Sequence, residues 1–261
     1  MIDILIFIGI FITGIVGYLH KSLTKSGAWT AIVVGAAVYV GFGLKGLILL
    51  GTFFATSNYW SKYKSSVKQP IEEKLAKGAT RDWRQVIANG GAAGLFSIIH
   101  YFDHDPIWQI GFAVSLASAN SDTWASEIGS LSRKNPIYIR TFKRVEKGTS
   151  GAISSLGSAA ALAGTFLISI ISFWLFDLDS RLTFLVFLFG YIGNVIDTIM
   201  GAYYQQMYVC QRCGIETEKR RHCQLPTTRI KGFTLVDNDM VNFLSGFLAA
   251  IAAIGMTLVI K

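Results

Sequence analysis

Charge is scarce in this chain. Of its 261 residues only 15% are Asp, Glu, Lys or Arg, against 52% hydrophobic. An ordinary soluble domain carries about 25% charged residues, so a soluble globular protein is excluded. Proline is rarer still, at four residues, and all four (Pro70, Pro106, Pro136, Pro226) lie between the apolar runs. Uninterrupted runs are what membrane-crossing helices require. The alternation of a transmembrane barrel is absent. No basic residue precedes the first apolar run, Met1 to Leu19; Lys21 and Lys25 follow it. A cleaved signal peptide has its charges in front, so this run reads as a retained first span with its N-terminus outside. Cysteine occurs three times, in one loop, which does not fit a disulfide framework. No basic, aromatic module stands apart from the apolar runs, so nucleic acid is not an expected partner.

What is present is apolar sequence in blocks. These predict an all-α, polytopic integral membrane bundle of about eight transmembrane helices in one domain, residues 1–261. The spans are expected at about 2–20, 27–43, 45–60, 85–100, 107–130, 150–176, 182–204 and 240–260. The second and third are two spans or one re-entrant element, because Gly41, Gly43 and Gly46 interrupt them. The fourth is short for a crossing. Gly90 and Gly94 stand four apart, the spacing of a close helix–helix contact.

The distribution of charge tests that count. Loops 21–26, 61–84, 131–149 and 205–239 hold 21 of the 24 Lys and Arg residues. The opposite side has Lys45, Arg181 and Lys261 together with Asp3, Asp103, Asp105, Asp177 and Asp179. By the positive-inside rule the basic side is cytoplasmic and both termini are outside, in a multi-pass protein of the cell membrane. The formal net charge of +8 therefore concentrates on one face, where it also suits anionic headgroups or phosphates.

Against this background the stretch 117–129, Ala-Ser-Ala-Asn-Ser-Asp-Thr-Trp-Ala-Ser-Glu-Ile-Gly, is anomalous. It continues an apolar run yet carries Asn120, Asp122, Thr123, Ser126 and Glu127. A charged residue at a helix centre in a bilayer costs about 2.5–3.5 kcal/mol on insertion scales. An ion, a proton or a phosphate-bearing substrate would offset that cost. Other polar residues gather at the same depth: Asn58; Arg84, Gln85 and Asn89; Asn194 and Asp197; Asn238, Asp239 and Asn242. All sit near cytoplasmic span ends, which points to one shallow site. Spacings of three, four and seven place Asn120, Thr123 and Glu127 on one helix face, and Asn194, Asp197 and Thr198 on another. Carboxylates and amides are hard oxygen ligands that suit Mg2+, which keeps waters and recruits substrate phosphates. Interhelical hydrogen bonding is the alternative use of the same groups.

Three further features stand out. Lys147-Gly148-Thr149-Ser150-Gly151 precedes the sixth span, where a glycine-rich turn at a helix N-terminus holds a phosphate, or Thr149 or Ser150 merely caps the helix. Arg81-Asp82-Trp83-Arg84 places a tryptophan between two arginines, as an interfacial anchor or a clamp on a lipid phosphate. Cys210, Cys213, His222 and Cys223 offer four zinc-type ligands within 14 residues; zinc held by all four would be structural, with no open position.

Segments 119–129, 147–154, 193–202 (Gly-Asn-Val-Ile-Asp-Thr-Ile-Met-Gly-Ala) and 237–242 (Asp-Asn-Asp-Met-Val-Asn) resemble a widespread family of multi-pass membrane proteins. That family includes the plant and cyanobacterial phytyl-phosphate kinase. The resemblance implies transfer of a phosphoryl group from a nucleoside triphosphate, CTP or ATP, to an isoprenyl monophosphate at the inner leaflet. On that basis Asp122, Glu127 and Asp197 would hold Mg2+ as the catalytic and metal-binding set. Asn120, Asn194, Asn238, Asp239 and Asn242 would complete or orient its surroundings. Lys147, Gly148, Thr149, Ser150 and Arg84 would bind phosphate. Segment 55–64 departs from the family's third-span ending, so no role passes to Asn58. Two other activities compete: a lipid-phosphate transporter or flippase, and a CTP-dependent cytidylyltransferase.

Overall fold

The computed structural model describes residues 2–260, with only the backbone described at Pro70 and Glu72. Its long helices are α1 (Ile2–Leu19), α2 (Lys25–Lys62), α4 (Trp83–Asp103), α5 (Ile107–Gly129), α6 (Ser155–Phe176), α7 (Ser180–Tyr203) and α8 (Asn238–Ile260). A short α3 (Ser65–Glu72) lies between α2 and α4. Helices α1, α2, α6, α7 and α8 are long and apolar enough to cross a bilayer. Helices α4 and α5 are equally long but carry the polar residues discussed below. The fourth span is thus 21 residues, longer than its hydropathy indicated, because the capping box of Asp82 and Gln85 starts it early.

Helix α2 contains two spans. Gly43 (φ 59°, ψ −149°) adopts a conformation open essentially to glycine, and the chain reverses there. An added Cβ on Gly46 would lie 2.9 Å from Val38, eight residues back. In a straight helix those residues would be about 12 Å apart. The ends of the hairpin agree: Asn58 Nδ2 donates to Ser22 Oγ at 2.6 Å and Lys62 Nζ to the His20 carbonyl at 3.0 Å, beside the point where α2 begins. At the bend, Lys45 pairs with Asp177 in the α6–α7 turn. The re-entrant alternative is therefore set aside, and the described residues form eight bundle-length helical segments, α2 counting as two.

Helix α5 is the hub. Every residue from Ile110 to Ser121 is buried, against α2, α4, α6, α7 and α8. Small residues permit that density: a Cβ on Gly190 or Gly193 of α7 would run into Ala117 or Ser118 of α5. Gly90 and Gly94 of α4 both face Val34 of α2. Large apolar side chains such as Ile4, Phe166, Trp174 and Val259 point outward, as a lipid environment requires. No proline interrupts a spanning helix; Pro70 falls in α3 and Pro226 in a two-residue strand.

The basic loops meet at one end of the bundle, and both described termini lie at the other. There, Tyr39 donates to Asp3 at 2.6 Å. At the basic end, short strands order the loops. β1 (Ile137–Tyr138) pairs with β2 (Ala152–Ile153). β3 (Met207–Val209) is flanked by β4 (Glu216–Thr217) and β7 (Thr228–Lys231), and β5 (Arg221–His222) pairs with β6 (Leu225–Pro226).

Candidate functional site

A cavity of about 360 Å3 opens at the basic end between α5, α7 and α8, roofed by the stretches before α4 and α6. Asp122, Thr123, Ser126 and Glu127 reach it from the last turns of α5. Asn194, Asp197 and Thr198 reach it from α7. Asn238, Asp239 and Asn242 reach it from the first turn of α8, which Asp237 caps by accepting from the Met240 N–H at 3.1 Å. Four carboxylates from three helices thus share one space.

Their partners divide them in two. Glu127 is committed: Ser61 donates to one oxygen at 2.8 Å and Lys68 to the other at 2.6 Å. Asp239 accepts from Lys77 at 2.5 Å, with Arg84 at 3.7 Å. Asp122 and Asp197 have no Lys or Arg partner among the described residues. Among the described residues, Asp197 accepts from Ser245 and, with the Asn242 amide nitrogen turned towards it, from Asn242, each at 3.1 Å. The two aspartates line the same cavity. Two like charges in a half-buried site repel one another, and neutral amides and hydroxyls do not balance them. A hard cation would, and the oxygens around it belong to types that ligate Mg2+.

The cationic wall comes from the loops. Lys77 bridges Asp82 and Asp239, at 2.8 and 2.5 Å. Burial alone would raise the Asp82 carboxyl. Hydrogen bonds from Lys77 and from the Gln85 and Arg84 N–H groups outweigh it and hold the carboxyl below the usual range. Arg81 is placed by backbone pairing with the α1–α2 turn: its N–H donates to the Ser22 carbonyl at 3.0 Å and its carbonyl accepts from Thr24 at 2.9 Å. Burial lowers the Arg81 guanidinium from its ordinary value, opposed by the charge of Glu127. Glu218 reaches the cavity from beyond β4; burial raises its carboxyl, opposed by the Ala76 N–H and Gln205.

Several expected residues fall elsewhere. Asn120 is fully buried beneath the cavity, accepting from Thr56 at 3.1 Å and donating to the Gly164 carbonyl at 2.7 Å. Its polar group ties three helices together and does not reach the site. Arg84 does not line the cavity; it holds Asp237 at 2.7 Å, and Arg81 is the arginine that faces inward. Asn58 bonds Ser22 on another face. Lys147, Gly148, Thr149 and Ser150 do line the cavity, but not as a helix N-terminus. The turn runs first into β2, and Ser154, not Thr149 or Ser150, caps α6 through the Gly157 N–H at 3.0 Å. Thr149 and Ser150 are held by the Glu146 carbonyl and Gln205. Lys68, Lys77 and Glu218 had no spacing signal in the sequence, whereas Arg81 was visible as one of the two arginines around Trp83.

The cavity is one-ended. Towards the other face, Phe42, Phe112 and Phe176 form a layer with ring centroids 4.6–6.0 Å apart. The hydroxyls of Ser97, Ser115, Ser169 and Ser172 at that depth bond carbonyls of their own helices. Transport through the protein needs a polar route to both sides, and this packing argues against one.

Comparison with known proteins places the chain. A family described as integral membrane protein DUF92 matches residues 8–250. An uncharacterised membrane protein of Methanocaldococcus jannaschii is 34% identical over 208 residues, 77% of this chain and 84% of that protein. Protein PGR of Arabidopsis thaliana is 32% identical, with 91% of each chain covered. Protein VTE6, chloroplastic, of the same plant is 26% identical over 91% of this chain and 66% of its own. No solved structure matches.

Proposed function

The chain belongs to the DUF92 family of integral membrane proteins, and we propose that its cavity transfers the terminal phosphoryl group of a nucleoside triphosphate to an isoprenyl monophosphate. The observation that carries this reading is the pair Asp122 and Asp197, two carboxylates on one cavity without a basic partner among the described residues. The similarity of segments 119–129, 147–154, 193–202 and 237–242 to the family that includes phytyl-phosphate kinase supports the same chemistry.

Phosphoryl transfer asks mainly for positioning and charge neutralisation. Asp122 and Asp197 fit a Mg2+ site, with Asn194 and Asn242 as neutral neighbours. Held there, Mg2+ would supply positive charge to offset the phosphate charge that the two reactants bring together. Lys147, which makes no ion pair among the described residues, would meet one phosphate, and Lys77 and Arg81 another. Asp82 and Asp239 hold the Lys77 ammonium in place, and Glu127 holds Lys68. An acceptor that is already an anionic phosphate needs no strong general base, so none is assigned. The prenyl tail would stay in the acyl region while the phosphate enters from the basic end. The positive-inside rule makes that end cytoplasmic and the acceptor's leaflet the inner one.

The test is product analysis with purified protein, Mg2+, a prenyl monophosphate, and CTP or ATP labelled in either the α or the γ phosphate. The proposal expects γ label in the prenyl diphosphate and release of the nucleoside diphosphate. Transfer of α label with pyrophosphate release would identify a cytidylyltransferase instead.

A further inference from the structure

The loop between α7 and α8 gathers every cysteine of the chain at one point, away from the cavity. Cys210 and Cys213 occupy the tight turn from β3 to β4. Its ends are closed by the Cys210 N–H on the Ile215 carbonyl at 3.0 Å and the Gly214 N–H on the Cys210 carbonyl at 2.8 Å. His222 ends β5 and Cys223 opens the turn from β5 to β6. The sulfurs of Cys213 and Cys223 lie 3.4 and 3.3 Å from His222 Nδ1, and the four ligand atoms all fall within 4.8 Å of one another.

The two sulfur–nitrogen separations are close to those around a tetrahedral ion, and the widest pair, within 4.8 Å, would have to draw in by about 1 Å. Zn–S bonds of about 2.3 Å and Zn–N bonds of about 2.0 Å set ligand atoms roughly 3.5–3.8 Å apart. The first sulfur already reaches across to the second turn, where Cys210 Sγ donates to the His222 carbonyl at 3.8 Å. The second turn places two non-glycine residues, Cys223 (φ 50°) and Gln224 (φ 64°), in the left-handed region. Three thiolates and one imidazole would leave a zinc site with a net negative charge. Arg212, Lys219, Arg220 and Arg221 surround it in sequence.

We propose that Cys210, Cys213, His222 and Cys223 bind one structural Zn2+, and that this ion fixes the rim of the cavity. The link is β4. Thr217 Oγ1, at its end, and the Glu218 N–H, just beyond it, both donate to the Lys74 carbonyl, at 2.6 and 2.9 Å, and the Ala76 N–H donates to Glu218 at 3.2 Å. Lys77 follows directly. Cross-linking the two turns therefore anchors the strand that holds residues 74–77 over the cavity. With four protein ligands the ion has no open position, so it takes no part in chemistry. The inference does not depend on which reaction the cavity performs.

The test uses the intact protein in detergent. Elemental analysis is expected to find one zinc per chain. The three thiols should resist a thiol reagent until a strong zinc chelator is added, and then react. Chelation should raise hydrogen exchange in residues 73–79 and 205–232 while leaving that of α5 and α6 unchanged. Replacing zinc with Co2+ should give the visible spectrum of a tetrahedral thiolate site, lost in Cys213→Ser. Since Cys213→Ser could fail to fold, the chelation result on the natural chain decides independently. Thiols that react fully without a chelator, or protein purified without zinc whose thiols stay equally protected, would overturn the proposal. Unchanged exchange at 73–79 on zinc loss would overturn the anchoring of the rim.

Discussion

Lys68 and Glu127 form an ion pair at 2.6 Å in which the lysine side chain is 5% exposed and the carboxylate 24%. It joins the short α3 to the end of α5. Removing one partner leaves a charge in a poorly solvated place, a loss of up to about 3–5 kcal/mol in buried pairs. Lys68→Met and Glu127→Gln are each expected to lower the unfolding midpoint in detergent. The double variant Lys68→Met/Glu127→Leu should recover most of the loss. Additive losses would show that the pair is not coupled.

Asp122 and Asp197 predict the opposite behaviour. Their charges repel, so Asp122→Asn and Asp197→Asn should be no less stable than the natural chain in EDTA. Added Mg2+ should stabilise the natural chain through mass action, by about 2.7 kcal/mol at one hundred times its dissociation constant. That gain should vanish in both variants. Thermal melts with and without Mg2+ check this; a Mg2+ shift that survives either substitution would place the ion elsewhere.

At Gly43 the backbone itself is the constraint. A Cβ there meets nothing within 4 Å, yet φ of 59° with ψ of −149° is strained for any L side chain. Gly43→Ala should cost about 1–3 kcal/mol. Gly51→Ala, equally open but helical, should be neutral or slightly stabilising. Equal melting points for the two variants would contradict the hairpin.

Lys231 supplies a pH signature. Its ammonium donates to the Gly201 carbonyl at 2.8 Å and lies 5.5 Å from the Tyr138 ring centre. Burial, with Arg140 nearby, pulls it down to about 8 from the ordinary 10.5. A folded value below the unfolded one means that charging this lysine opposes folding. The penalty is full below about pH 8 and fades as pH rises towards 10.5. NMR of 13C-methylated lysines should show one resonance titrating near 8 that is absent from Lys231→Met. If every lysine titrates above 10, the burial argument fails.

The spans were legible because a bilayer demands long apolar runs and loop charge records their direction. The bend at Gly43 was legible as an interruption but not as a hairpin, since a single residue's φ and ψ decide between the two. Asp122, Glu127, Asp197 and Asp239 stood out because carboxylates are rare at that depth. Helical spacing gave Asn120 and Glu127 the same face, yet two turns separate the cavity from its floor, and Asn120 lies below it. Arg81 was visible beside Trp83, but the cations Lys68 and Lys77 were illegible for another reason. Lys68 sits in the short α3 and Lys77 on an irregular stretch, and the paths of both follow from tertiary contacts such as the pairing of Arg81 with Ser22 and Thr24, which no periodicity encodes.

Transfer of labelled γ-phosphate to a prenyl monophosphate by the natural chain, Asp122→Asn and Asp197→Asn is the most direct measurement. Turnover by the natural chain is predicted, with a loss of at least about 100-fold in each variant, although neither melts below the natural chain in EDTA. Undiminished transfer in either folded variant, or none in the natural chain with Mg2+ and a panel of prenyl monophosphates, would contradict it.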